Sequence, residues 1–189
     1  SRQSRGLGDV YKRQGLPNKT LNIALAGTGV GKSLFMCHHA SSVLLQGRNV
    51  LYITMEMAEE KIAERIDANL LNVPIQDLTD LPKPMFDKKV TNLSKKTQGQ
   101  LIIKEYPTAS AHSGHFKTLL NELSLKKSFR PDIIFVDYLN ICASSRYKAN
   151  SGVNSYSYIK AIAEELRGLA VEANVPIVSA TQTTRSGFA

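Results

Sequence analysis

Residues Ala26–Ser33 read AGTGVGKS, set between the apolar run Leu21 to Ala26 and a stretch with helical spacing. The octapeptide has the form of a phosphate-binding loop, except that Ala26 stands where the commonest version has glycine. At a strand end a small side chain suffices. Gly27, Gly29 and Gly31, with Thr28 and Val30 between them, let the backbone curl until successive N–H groups point inward, and the helix that follows adds its positive end. Lys32 has the length to reach β- and γ-phosphates, and the Ser33 hydroxyl suits Mg²⁺. A glycine-rich turn with an incidental Lys-Ser pair is the plain alternative, and the flanking strand and helix argue against it.

Outward from this loop the chain alternates short β-type runs with helical patterns. That alternation predicts an α/β fold, a mainly parallel sheet with helices on both faces. The strand candidates are Leu21 to Ala26, Asn49 to Met55, Leu101 to Tyr106, Asp132 to Asp137 and Val175 to Thr181. Asp132 to Asp137, DIIFVD, is almost continuously bulky and apolar, so it is expected at the centre, covered on both faces. Ile159, Ile162, Ala163, Leu166, Leu169, Ala170 and Ala173 repeat at spacings of three and four, which predicts a helix from Ser155 to Ala173. Phe116, Leu119, Leu120 and Leu123 mark another over His115 to Lys127, and Ile62, Ile66 and Leu70 a third after Met57. Leu71 to Pro84 contains three prolines and reads as a loop.

Three polar residues end apolar strands. A phosphate loop needs a second acid for its metal, at the tip of a neighbouring strand, and Asp137 fits; a surface Asp that merely terminates a strand is the alternative. Glu56 follows the second strand, at the edge where open α/β sheets bind ligands. A carboxylate there can orient and deprotonate an attacking water, or it can be an acid favoured at a helix start. Gln182 ends the last strand, where an amide can sense a γ-phosphate or be an ordinary polar terminus.

Composition narrows the setting. The 189 residues are 42% hydrophobic and 21% charged, an ordinary globular mixture. Lys plus Arg number 24 against 16 acids, a net charge of +8 that raises the question of nucleic acid or nucleotide without choosing between them. Cys37 and Cys142 are too few for a disulfide framework and lack zinc-site spacing, so a reducing cytosol is expected. No apolar stretch is long enough to span a bilayer. Ser1 to Gln14 shows neither period and resembles adaptor-derived sequence; it is expected to be a non-native or disordered leader, with the domain running from 15 to 189.

The order AGTGVGKS, TMEM, FVDYL, SATQ resembles the RecA-like motor domain of DnaB-type replicative helicases, and within that family the T-even phage branch. The likeness also rests on NVLYITMEMAEE, RIDANLL, FVDYLNICAS and YIKAIAEELRGLAVE, and it runs from about Gly15 to Gln182. It implies a RecA-like P-loop NTPase core, cut short at both ends, that uses ATP and Mg²⁺. By the same resemblance Lys32 and Ser33 serve phosphate and Mg²⁺, Asp137 the metal, Glu56 is the catalytic base and Gln182 a γ-phosphate sensor. The strand ending in Gln182 is then expected between the phosphate-loop and Asp137 strands. Expected partners are single-stranded DNA, five further copies in a homo-hexamer moving 5′ to 3′, a primase and a helicase loader, in the cytoplasm of a host cell.

In such motors the loops after the Asp and Gln strands line a DNA channel. Here the first is about Cys142 to Asn154, where Arg146 and Lys148 flank Tyr147, so cations for phosphates sit beside a ring that can stack on a base; a solvated loop is the alternative. Arg185 belongs to the second loop. Lys83, Lys88, Lys89, Lys95 and Lys96 read as a solvated helix face. His112 and His115 have a metal-compatible spacing without further ligands, and His38 and His39 are expected to pack or hydrate. The family's N-terminal primase-interacting domain and trans-acting arginine lie outside the sequence, so it reads as an internal fragment. An arginine finger is worth about 10³ to 10⁵ in turnover, so the chain alone is expected to hydrolyse ATP slowly. The rival readings are a RecA-type recombinase and a RecA-like ATPase switch that ignores DNA.

Overall fold

The structure, a computed structural model, describes residues 15–26, 31–78, 80–96, 99–148 and 151–182, without the side chains of 26 and 94–96. The leader Ser1 to Gln14, the loop residues Gly27 to Val30 and Arg185 lie outside the described residues. Five strands form one sheet: β1 (Leu21–Ala26), β2 (Val50–Thr54), β3 (Leu101–Glu105), β4 (Ile133–Asp137) and β5 (Ile177–Gln182), in the spatial order β1-β5-β4-β2-β3. Every neighbouring pair is parallel. The strand DIIFVD is central as expected, and β5 lies between β1 and β4, the place the family resemblance gives it.

Helices α1 (Gly31–Leu45), α2 (Glu59–Leu71), α3 (Lys83–Lys96), α4 (Ser113–Lys127) and α5 (Ser155–Ala173) connect the strands. The two-residue period of each strand sorts its side chains between two cores. Val50 and Tyr52 of β2, with Ile133 and Phe135 of β4, face Met36, Ala40, Val43, Ile62 and Ile66 of α1 and α2. Leu51 and Ile53, with Ile134 and Val136, face Phe116, Leu119, Ile162 and Leu166 of α4 and α5. All five residues of β2 and of β4 are buried, because both faces carry helices and both edges carry strands. Each large aliphatic or aromatic side chain so covered contributes about 1.5–3 kcal/mol of transfer free energy. Among the described residues β1 and β3 are the outer strands, and Ile23 and Leu25 of β1 stay exposed.

Local chemistry sets the helix ends. Asn154 caps α5 by accepting from the Ser157 N–H at 2.8 Å, and Asn174 closes it in the left-handed region with φ 54°. Gly99, just before β3, runs so close to the Arg48 carbonyl that a side chain there would collide. Two predicted boundaries shift. The loop read from Leu71 to Pro84 holds a 3-10 turn at Ile75–Asp77, and α3 begins at Lys83, because Pro84 falls in the first helical turn where its missing N–H costs nothing. Helix α4 begins at Ser113 because His112 and His115 cap it.

Candidate functional site

The C-terminal ends of parallel strands share one edge of the sheet, and the predicted residues gather there. Lys32 and Ser33, in the first turn of α1, are both buried. The Ser33 hydroxyl donates to Asp137 Oδ2 at 2.7 Å, across 104 residues of chain. Asp137, fully buried at the tip of β4, accepts a second bond on the same oxygen from the Tyr52 hydroxyl at 2.8 Å. Its other oxygen, Oδ1, is buried with no hydrogen-bond partner among the described residues. A serine hydroxyl beside a carboxylate with one free oxygen is a hard-oxygen donor set of the kind Mg²⁺ takes, which leaves the remaining positions to water and phosphate. The Lys32 ammonium lies 3.9 Å from the centre of the Tyr138 ring, a cation–π contact that holds the amine at the site.

The electrostatics match this placement. Burial raises the pKa of Asp137 above the usual carboxylate value, and the bonds from Ser33 and Tyr52 pull it back. The charge of Glu56 pushes it up again and Lys32 lowers it. Burial also raises the Tyr52 phenol and pushes the Cys37 thiol up to about 11, so both keep their protons to donate. The Cys37 thiol lies 3.8 Å from the Tyr52 oxygen, its acceptor.

Glu56 is exposed on the bend after β2, and its charge reaches Asp137 and Tyr138. The bend is held by Thr54 Oγ1, which donates to the Met57 carbonyl at 2.8 Å, and by Thr108 Oγ1, which donates to that of Met55 at 2.7 Å. The first-turn acids of α2 are Glu59 and Glu60, and Glu56 precedes the N-cap Ala58. Gln182 ends β5 in register with Ala26. Its backbone N–H donates to Asn140 Oδ1 at 3.2 Å, and Thr181 Oγ1 donates to the same atom at 2.9 Å. Sequence reasoning passed over Tyr52, Tyr138 and Asn140. The last two adjoin or closely follow Asp137, which was their one available signal.

The loop after β4 is anchored on α5. Tyr158 accepts from the Ser144 N–H at 3.2 Å, and Glu165 accepts from both the N–H and the hydroxyl of Ser145. Arg146 is paired with Glu164 at 2.8 Å, while Tyr147 and Lys148 are exposed. Lys83 and Lys88 are exposed as a solvated face requires, and Lys89 donates to the Leu71 carbonyl. His112 and His115 are hydrogen-bonded into the start of α4, His39 packs edge-on against Phe135, and no group of three metal-ligating side chains occurs among the described residues. No described helix is long and apolar enough to cross a membrane.

Known proteins resemble this chain in sequence and in fold. The DnaB-like replicative helicase of Enterobacteria phage T4 is 49% identical over 177 residues, which cover 92% of this chain and 37% of that protein. A probable plasmid replicative DNA helicase of Chlamydia trachomatis is 31% identical over 169 residues, 86% of this chain and 35% of its own. This chain therefore spans little more than a third of these relatives. Among solved structures, an isolated ATPase domain superposes with a TM-score of 0.72 at 17% identity, over 96% of this chain and 63% of that one. A DnaB-like replicative helicase, studied with its interactions with primase, gives 0.69 at 17% identity over 90% and 40%. The DnaB-like helicase C terminal domain family matches residues 7–187, and the chain belongs to that family.

Proposed function

We propose that the chain is the ATP-hydrolysing core of a replicative DNA helicase, working as a homo-hexamer that moves 5′ to 3′ on single-stranded DNA. The observation that carries the reading is the meeting of Ser33 with Asp137, whose second oxygen has no partner among the described residues. Residues Ala26, Gly27, Thr28, Gly29, Val30, Gly31, Lys32 and Ser33 hold the phosphates of ATP. Ser33 and Asp137 hold Mg²⁺, which when bound neutralises charge on the phosphate oxygens. Lys32 supplies a further positive charge to the γ-phosphate. Glu56, exposed and at the same edge, orients the attacking water and takes its proton. Gln182 senses the γ-phosphate, and its strand is tied through Asn140 to the segment after β4, a route from the nucleotide to the loop carrying Arg146 and Lys148. Those two cations, with Arg185, meet the DNA backbone. A primase and a loader are the partners that the family resemblance adds, and the cytoplasm of a host cell is the setting.

Three outcomes of one assay on the protein separate this reading from its rivals. ATPase activity stimulated by single-stranded DNA, together with unwinding of a forked duplex, supports the helicase. Strand exchange without unwinding supports a recombinase, and indifference to DNA supports a switch.

A further inference from the structure

Tyr52 is the one member of the Asp137 cluster that the proposed mechanism leaves without a task. It is completely buried in β2, in register with Phe135 of β4, and the two rings stack with centroids 5.8 Å apart and planes 17° apart. Two residues on, Thr54 is in register with Asp137, so the phenol points along the sheet face toward the carboxylate. Its hydroxyl donates to Oδ2 at 2.8 Å, and the Cys37 thiol of α1 lies against it at 3.8 Å. A fully buried hydroxyl needs a partner, and a phenylalanine would fill the same space without that need. The hydroxyl therefore has a use beyond packing.

That use is orientation. A carboxylate can rotate about its last bond and exchange its oxygens. Both described hydrogen bonds to Asp137 fall on Oδ2, and Oδ1 is left as the free oxygen. Of the two donors, Ser33 is the one the mechanism assigns to the metal, and a hydroxyl turned to a cation no longer holds Asp137 in the same way. Tyr52, anchored in the core, keeps its bond. We propose that Tyr52 is a positioning residue for the metal site: its hydroxyl locks Asp137 Oδ2 so that Oδ1 stays aimed at Mg²⁺ through the catalytic cycle. This rests on the reading of Ser33 and Asp137 as the metal-holding pair.

The test measures Mn²⁺ affinity by electron paramagnetic resonance, on protein mixed with a non-hydrolysable ATP analogue, for wild type, Tyr52→Phe and Asp137→Asn. Outer-shell partners of a metal ligand typically govern 10–100-fold in affinity, so Tyr52→Phe should weaken Mn²⁺ by about that factor. Binding of the analogue in metal-free buffer should stay unchanged, and the Mg²⁺ concentration needed for half-maximal ATPase should rise in parallel. Wild-type Mn²⁺ affinity in Tyr52→Phe, whatever its melting temperature, overturns the positioning role while Asp137→Asn still abolishes binding. Unaltered Mn²⁺ binding in Asp137→Asn overturns the underlying metal reading instead. Should Tyr52→Phe fail to fold, Tyr52→Leu removes the same hydroxyl with a smaller side chain, and the same two outcomes decide.

Discussion

Asp137 and Arg146 follow each other along one segment yet live under opposite physics. Asp137 is wholly buried at the end of β4, held by donors from α1 and β2, and its carboxyl titrates high because burial disfavours its charge. Arg146 stands on an exposed loop and meets Glu164 in solvent. A charge driven into a core is tolerated only where other groups compensate it, so its position reports chemistry. An exposed ion pair contributes little and can be exchanged for another anion, so its position reports availability. The nucleotide edge is thus built for geometry, and the loop for replaceable contacts with a polyanion.

Breaking the buried side should have the largest effects. Lys32→Ala should reduce both ATP binding and hydrolysis, with kcat/KM falling by at least about 100-fold, since a preorganised charge on the transferred phosphoryl group is typically worth that much. Unchanged kinetics would remove the phosphate-loop assignment. Glu56→Gln should keep nucleotide affinity, measured by fluorescent-analogue titration, while turnover falls about 10²- to 10⁴-fold, the usual worth of a general base. A variant that turns over normally assigns the water to another group.

The comparison sharpens further in a stability measurement. The Asp137 carboxyl has a higher pKa folded than unfolded, so this group stabilises the fold most below the unfolded pKa of about 3.9 and loses that contribution as pH rises through the folded value. Asp137→Asn should therefore melt above the wild type at neutral pH, with the gap closing in acid, even as metal-dependent turnover disappears. Thermal melts at several pH values check this; a destabilised variant at neutral pH would show that the two hydrogen bonds outweigh burial.

The smallest effects belong to the loop. Arg146→Ala should leave the melting temperature and the DNA-independent ATPase unchanged, while weakening single-stranded DNA binding and lowering the salt slope of log Kd by about one contact. Glu164→Gln should do the reverse, freeing the guanidinium and tightening DNA binding at low salt. Salt-dependent anisotropy on an oligonucleotide measures both, and equal slopes for all three proteins would separate Arg146 from DNA.

Much of this was legible residue by residue. The spacing of Ile159, Ile162, Leu166 and Leu169 located α5 at Ser155–Ala173 to the residue, since an isolated amphipathic stripe with Asn at both ends needs no outside information. DIIFVD was readable as a central strand because burial on both faces leaves an unbroken apolar run. His112 and His115 were misleading for the opposite reason: their spacing suits a metal or a helix cap, and only the backbone decided for the cap. Tyr52 carried no signal, since its purpose lies in a bond 85 residues away and a tyrosine in an apolar strand is commonplace.

The division follows range. Sequence alone determined what depends on neighbouring residues: the phosphate-loop composition, the strand and helix periods, and the acid waiting at a strand tip. Tertiary structure alone decided what depends on distant ones. It inserted β5 between β1 and β4, brought the Ser33 and Tyr52 hydroxyls onto a single oxygen of Asp137, and tied Asn140 to the end of β5. Periodicity is a property of the chain, whereas the partner of a buried hydroxyl is set by whichever acceptor the packed sheet leaves within reach.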